Sequence, residues 1–483
     1  MARGKTKDNR IYYRLLGVVF VMILFGLIMV LSASWVRAYA ETGDSYYYIK
    51  RQLLWIAMGS VALLFFSRVS VGSFQKLARP VIVAAIVMLL MVLVPGVGKT
   101  AGGASRWILV GGFQIQPSEL AKFAVALYTA DFLTRKRKEL GDIKELIYPY
   151  GVVLLLIIFL VLKQPDLGTT LAICMAAFVI LFIGGFPLKY VLGIGVTGIA
   201  AGAYFIYFSP FGFHLKRFKA FLDPKADPFG AGYQILQSLI AFGSGGLFGV
   251  GLGMSRQKYF YLPAAQTDFI FAIIGEELGL LGTLFTVLLF ALFTYYGIKI
   301  SYRCKNHFGR LLGAGLTSMI ALQALVNMGA VTAMLPITGI PMPFISYGGS
   351  SLIVNLASVG ILLSIATDNN SEASSRKRRP RLTLVKGEGS KGKKATKKKA
   401  GKNNSSRRSA ASTSRMKLVA SSKKRPKASS KAKSAGAAST SATKKRARRT
   451  KTNEGSDKRR RNSGTRVSGS SARRRPTGDK RKR

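Results

Sequence analysis

Three carboxylates in one short stretch pose the first chemical question. YLPAAQTDFIFAIIGEELG, Tyr261 to Gly279, places Asp268 just before the apolar run FIFAII and puts Glu276 and Glu277 just after it. If a helix starts between Pro263 and Asp268, Glu276 lies roughly 12 Å along its axis from Asp268, at about 1.5 Å per residue, and Glu277 points to the opposite side. One helix therefore does not make a close pair of acids. At the mouth of the helix, Asp268 can take a proton from a hydroxyl as a general base, or it can cap the helix. Glu276 and Glu277 lie in apolar surroundings, where an acid is costly and faces protein or a water-filled cavity. A hydrogen-bonded structural role is the first expectation for both.

A second group is GGASRWILVGGFQIQPSELAK, Gly102 to Lys122. Its glycines, with Arg106 and Trp107, suggest a loop, and Pro117 suits the first position of a helix. Glu119 and Lys122 are i,i+3 neighbours on that helix. They either pair with each other or offer a lysine to an anionic substrate. Asp166, in Lys163-Gln164-Pro165-Asp166, reads as the N-cap of the next helix. ITGIPMPFISYGGSS, Ile337 to Ser351, has prolines and glycines that forbid a regular helix; such backbone within a membrane is buried in protein or lines a cavity. Two cysteines, Cys174 and Cys304, two histidines, His214 and His307, and no CxxC or HExxH spacing give no metal site.

The elements that must hold these residues are membrane helices. Apolar runs of span length recur near 15–34, 52–66, 80–95, 118–133, 148–162, 168–184, 187–208, 269–298, 311–335 and 351–367. Their length and lack of alternation predict helices rather than barrel strands, so the fold class is an all-α polytopic membrane protein of about ten transmembrane helices. The first run follows a basic N-terminus and precedes Ala38-Tyr39-Ala40, as in a signal peptide, but it is long enough to span and is kept as the first helix. With the N-terminus inside, Arg68, Lys76, Arg79, the run Arg135 to Lys138, Lys299, Arg303, Lys305 and Arg310 all fall on inner loops. Both termini are then cytoplasmic.

One outer loop, 209–267 between helices 7 and 8, is long and carries Lys216, Arg217, Lys219, Lys225, Arg256 and Lys258. It either touches lipid headgroups or forms an anion site for a phosphate-bearing substrate. Overall there are 72 Lys+Arg against 20 Asp+Glu. Residues 371–483 hold 41 of those bases and 5 of the acids. The chain thus divides into a membrane domain, 1–370, and a disordered basic cytoplasmic tail, 371–483, rich in Lys, Arg, Ser and Ala.

Six strings occur in order: GASRWI, QPSELAK, KQPDLGTT, DPFGAGYQILQSLIAFGSGGLFGVGLG, TDFIFAIIGEELG and PFISYGGSS. Together they resemble the SEDS family (shape, elongation, division and sporulation proteins) over about residues 10–368. GGLFGVGLGMSRQKYFYLP, SASW and YYYIKRQ resemble its FtsW-like division branch more than its elongation branch. The resemblance implies a peptidoglycan glycosyltransferase that polymerises lipid II, an undecaprenyl-pyrophosphate disaccharide-pentapeptide, at the outer face of the bacterial cytoplasmic membrane during division. It implies a class B penicillin-binding transpeptidase and other division proteins as partners, and the septum as location. Asp268 matches the family's essential aspartate, and Trp107 and Lys122 match positions at its substrate cavity.

Making a β-1,4 link from an α-linked donor inverts the anomeric carbon, as a single displacement requires. Asp268 is then the base. Arg106, Trp107, Glu119, Lys122, Arg217 and Lys258 are the expected substrate contacts. No cofactor is legible; a divalent cation, Mg or Mn, is compatible with a departing pyrophosphate. The chain departs from the family where PEAHTDF is common and Pro263-Ala264-Ala265-Gln266-Thr267-Asp268-Phe269 stands here, and where Gln114 replaces a base found in some relatives.

Two other readings fit the same residues: a lipid II flippase, served equally by polar residues in broken helices, and a non-catalytic division scaffold. The tail fits anionic lipid, or nucleic acid or a partner protein in the cytoplasm.

Overall fold

The computed structural model describes residues 3–101, 104–111, 113–136, 146–208 and 213–378. The expectation of a disordered basic tail falls almost wholly on residues outside these.

Each of the ten apolar runs forms a helix. They are α1 (Arg3–Thr42), α2 (Tyr47–Arg68), α3 (Val71–Leu93), α4 (Pro117–Arg135), α5 (Val152–Lys163), α6 (Leu167–Ile183), α7 (Leu188–Phe208), α10 (Ile270–Arg303), α11 (His307–Val331) and α12 (Gly349–Arg378). The outer loop adds two short helices, α8 (Phe213–Leu222) and α9 (Tyr233–Gly245). Six of the ten are long and apolar enough to cross a membrane by themselves; α5, α6 and the first half of α7 are shorter apolar helices. α4 carries Glu119, Lys122 and Asp131, and all three are buried. An intramembrane charge needs such cover, and here it comes from packing against α3, α6 and α11.

One buried core joins α1, α4, α10, α11 and α12. A second joins α3, α4, α5 and α6 through Ile82, Leu89, Val125, Ile157 and Ile173. Phe20, Leu24, Ile28, Val61, Leu64 and Phe159 point outward instead. Outward apolar side chains on span-length helices suit contact with lipid.

Two expectations need correction. The stretch from Gly98 to Ile115 is not a plain loop: β1 (Gly98–Ala101), β2 (Ala104–Val110) and β3 (Phe113–Ile115) form a three-stranded antiparallel sheet. Trp, Ile, Leu, Val and Phe in ASRWILV and FQI favour strands, and Gly111 turns the chain with φ of +55°. Nor does a helix begin at Pro263. Residues 263–269 form turns, with Ala264 at φ +57°, and α10 starts at Ile270.

The same helix breaks at Gly279, with φ 63° and ψ −157°, a conformation open essentially to glycine. The backbone groups freed there are not lost. Leu280 N donates to Gly246 O at 2.9 Å, and Val250 N and Gly251 N donate to Glu276 O and Glu277 O at 2.9 and 3.1 Å. A Cβ on Gly249 would lie 2.1 Å from Glu277 O. The glycine-rich run after α9 therefore has to be glycine-rich to dock on the broken helix and satisfy it.

Candidate functional site

Five chain segments meet around Asp268. The loop 263–269 presents it. Asn327 of α11 donates Nδ2 to Asp268 O at 2.7 Å and to Ile340 O at 2.8 Å, fixing the loop against the irregular stretch 337–348. Gly339 lies beside Asp268 Oδ2, where a Cβ would sit 3.6 Å away. Arg217 of α8 donates Nη1 to Ile337 O at 3.4 Å. Arg106 of β2 donates Nε to Gln164 O at 3.3 Å and its Nη2 to Pro165 O. That holds it over the turn that leads into α6.

The electrostatics follow from this packing. Burial pushes the Asp268 carboxyl up to about 6; the positive charges of Arg217 and Arg106 oppose that rise, and Asp166 adds to it. Burial lowers Arg217, and the neighbouring Arg106 acts in the same direction. The Asp268 side chain is partly accessible, and no described group donates a hydrogen bond to its carboxylate. Nearby, Gln266 Oε1 and Thr338 Oγ1 are buried without a partner among the described residues. Native proteins rarely leave such atoms unpaired. Polar capacity left unused around a carboxylate flanked by two guanidinium groups suits a polar, anionic ligand.

The other expected contacts divide. Asp166 is the N-cap of α6 as the sequence suggests, accepting from Thr169 N at 3.1 Å; Gln116 Nε2 reaches its other oxygen at 3.3 Å. Trp107 follows Arg106 in β2, so it faces the other side of the strand. Glu119 and Lys122 pair with each other at 2.8 Å, and both are buried. Lys122 also donates to Gln323 Oε1 at 2.8 Å, and Gln323 Nε2 donates to Pro341 O at 2.9 Å. Lys122 therefore supports the 337–348 stretch from below. Glu119 Oε2 is buried and unpaired.

Lys258 lies in a different group. Its Nζ is 3.1 Å from Glu277 Oε1, with neither side chain exposed. It also donates to Gly253 O and sits over the Trp35 ring. Ser32 of α1 donates to both oxygens of Glu277, at 2.7 and 2.6 Å. Glu276 accepts from Arg256 N at 2.8 Å, from Gln257 N at 3.4 Å and from Ser255 Oγ. Both inner acids fasten the second half of the outer loop to α10 and α1, the structural role expected of them.

Sequence reasoning missed Gln323, Asn327 and Thr338. A signal was present for two of them: Gln323 and Asn327 are spaced i,i+4 in the apolar run of α11, and polar side chains inside a membrane helix at that spacing share one face. Among the described residues no three His, Cys, Asp or Glu side chains converge.

A bundle of apolar helices with a carboxylate and two arginines gathered at one end has the architecture of a polytopic membrane protein. The chain belongs to the cell cycle protein family of FtsW, RodA and SpoVE, whose profile matches residues 13–371, and lies in its FtsW-like branch. It is 41% identical over 352 residues to the probable peptidoglycan glycosyltransferase FtsW of Trichlorobacter lovleyi, covering 73% of this chain and 92% of that one. It is 40% identical to stage V sporulation protein E of Bacillus subtilis, covering 72% and 95%. Among solved structures, a chain from a peptidoglycan synthase complex that coordinates polymerization and crosslinking superposes with a TM-score of 0.60 at 29% identity, covering 74% of this chain and 98% of that one. The rod shape determining protein RodA of Thermus thermophilus superposes with a TM-score of 0.54 at 27% identity, covering 74% and 96%.

Proposed function

We propose that the chain is a peptidoglycan glycosyltransferase that polymerises lipid II, with Asp268 as its general base. The observation that carries the assignment of Asp268 is its carboxylate: without a hydrogen-bond donor among the described residues, raised by burial to about 6 and set beside Arg217 and Arg106.

The acceptor sugar hydroxyl gives its proton to Asp268 as its oxygen attacks the donor's anomeric carbon. The new glycosidic C–O bond forms as the bond to pyrophosphate breaks, and the configuration inverts. The departing pyrophosphate carries the electron pair of the broken bond, and Arg217 and Arg106 balance its charge. A base with a pKa near 6 is largely ionised at neutral pH, yet holds a proton better than an ordinary aspartate.

The positive-inside pattern of the basic residues supports an outer-face position for Asp268. Membership of the FtsW-like branch supports a place of action at the septum and a class B penicillin-binding transpeptidase as partner. Purified chain given fluorescent lipid II should yield glycan polymer, and Asp268→Asn should yield about 10²–10⁴-fold less while remaining folded and inserted. Transport of lipid II in vesicles without polymer from either protein would instead favour a flippase.

A further inference from the structure

A slot of about 400 Å³ opens between α3, the C-terminal half of α4 and the start of α5. Its walls are two facing helical stripes. Arg79, Ile82, Val83 and Ile86 of α3 line one side, and Tyr128, Asp131, Phe132 and Arg135 of α4 line the other; Lys136, Pro149 and Val153 complete it. Each stripe follows the i, i+3, i+4, i+7 spacing that puts four residues on one helix face. The slot is thus apolar along its length and cationic at one end.

The charges are unequal. Among the described lining residues, Arg79, Arg135 and Lys136 stand with one carboxylate, Asp131, which Arg135 already neutralises. Arg135 Nε lies 2.8 Å from both oxygens of Asp131, and Gln75 Nε2 donates to one of them at 3.1 Å. Arg79 is exposed and makes no hydrogen bond or ion pair among the described residues. The apolar wall is firm: Phe132 and Tyr128 both stack on Tyr150, whose hydroxyl meets Thr129 Oγ1 at 3.0 Å. Val83, by contrast, is 57% exposed on the side where lipid would lie.

We propose that this slot binds an anionic glycerophospholipid of the inner leaflet, with its phosphate at Arg79 and one acyl chain along Ile82, Val83, Ile86 and Val153. The geometry favours a whole phospholipid over a free phosphate because the cations lie at the end of an apolar channel. Clusters of basic residues between helices on the cytoplasmic side are suited to anionic headgroups, each contributing about 1 kcal/mol near the surface.

The full chain in nanodiscs of phosphatidylcholine, doped with phosphatidylglycerol carrying a photoreactive acyl chain, tests this directly. Mapping crosslinks by peptide separates the slot from any lipid held by the basic tail. Labelling of the α3 and α5 wall should exceed that by photoreactive phosphatidylcholine several-fold. Arg79→Gln with Lys136→Gln should reduce it about tenfold or more, and Arg79→Lys should retain it. Val83→Trp, which fills the channel without changing charge, should also abolish it. Lipid II polymerisation serves as the folding control and should persist in all three variants. Equal labelling by both lipids, or labelling indifferent to the glutamine substitutions, would overturn the proposal. Loss of labelling when millimolar inorganic phosphate is added would also overturn it, showing a simple anion site.

Discussion

Asp268 and Glu277 stand nine residues apart on one chain segment, and each has cations at hand, yet their settings are opposite. Glu277 is enclosed and takes Ser32 Oγ, Lys258 Nζ and Ser255 N. Asp268 is partly open, takes no donor on its carboxylate among the described residues, and has Arg217 and Arg106 close enough to act on its charge. A buried carboxylate with all its lone pairs used is a fastener, because breaking any one bond leaves a costly orphan. A carboxylate left unsaturated next to fixed positive charge can accept a proton without first giving up a partner. The difference lies in who donates to the acid, which its residue type does not reveal.

The sharpest way to break this comparison is to neutralise each acid. Asp268→Asn should lower polymerisation by about 10²–10⁴, the range general-base catalysis supplies, with insertion and a cooperative fold preserved; a polymer assay beside a thermal melt measures both. Glu277→Ala should do the reverse. It leaves Lys258 buried and unpaired, which costs about 3–5 kcal/mol, so its first symptom is loss of folded protein in detergent. Adding Lys258→Met should recover much of that stability. If Glu277→Ala folded normally and merely lost activity, the fastener reading would fail.

Much of this contrast was hidden in the sequence for a definite reason. The ten apolar runs and the cap at Asp166 are local patterns, and the structure has them where the spacing predicts. The inner acids were legible as structural because a charge in an apolar run must find partners, but the partners are distant: Ser32 is 245 residues from Glu277 in the chain. Arg106 and Arg217 could be named as cations but not placed, since one comes from a small sheet and the other from a loop helix, and both converge on Asp268 only through tertiary packing. The helix break at Gly279 was missed because GEELG reads as ordinary helix until the glycine-rich run after α9 is seen to dock on it. Local propensity has no access to that contact.

Arg217→Met sharpens the comparison from the cation side. Arg217 is the larger of the two charges holding the Asp268 carboxyl down. Its removal should raise that carboxyl further and move the acidic limb of the polymerisation pH profile upward from about 6. A purely structural arginine would lower the rate at every pH and leave the limb in place. A smaller effect is expected at the buried pair below. If Lys122 only supports the 337–348 stretch, Glu119→Gln with Lys122→Met should retain more activity than Lys122→Ala alone, because both charges go together. Equal loss in the two, measured as turnover per folded molecule, would instead point to contact between Lys122 and substrate.

The smallest effect is on stability, and its sign separates the two acids most cleanly. The Asp268 carboxyl sits at about 6 in the fold against an ordinary 3.8, so between these values the folded chain holds a proton that the unfolded chain has released. Below about 3.8 both states are protonated and the site costs nothing extra. As pH rises through 6 the folded state must ionise a group its surroundings disfavour, and stability is lost. Asp268→Asn removes that cost, so the variant should melt higher than the parent at pH 8, and the gap should close as pH falls from about 6 toward 3.8. A tenfold change in proton affinity corresponds to about 1.4 kcal/mol, which sets about 3 kcal/mol as the upper bound. A bound anion held by the arginines would reduce the gap, so the melts belong in phosphate-free buffer. Glu277→Gln should show the opposite sign, because it weakens a satisfied pair. If Asp268→Asn destabilised the protein at pH 8, the carboxylate would be a bonded fastener like Glu277, and the distinction between the two sites would collapse.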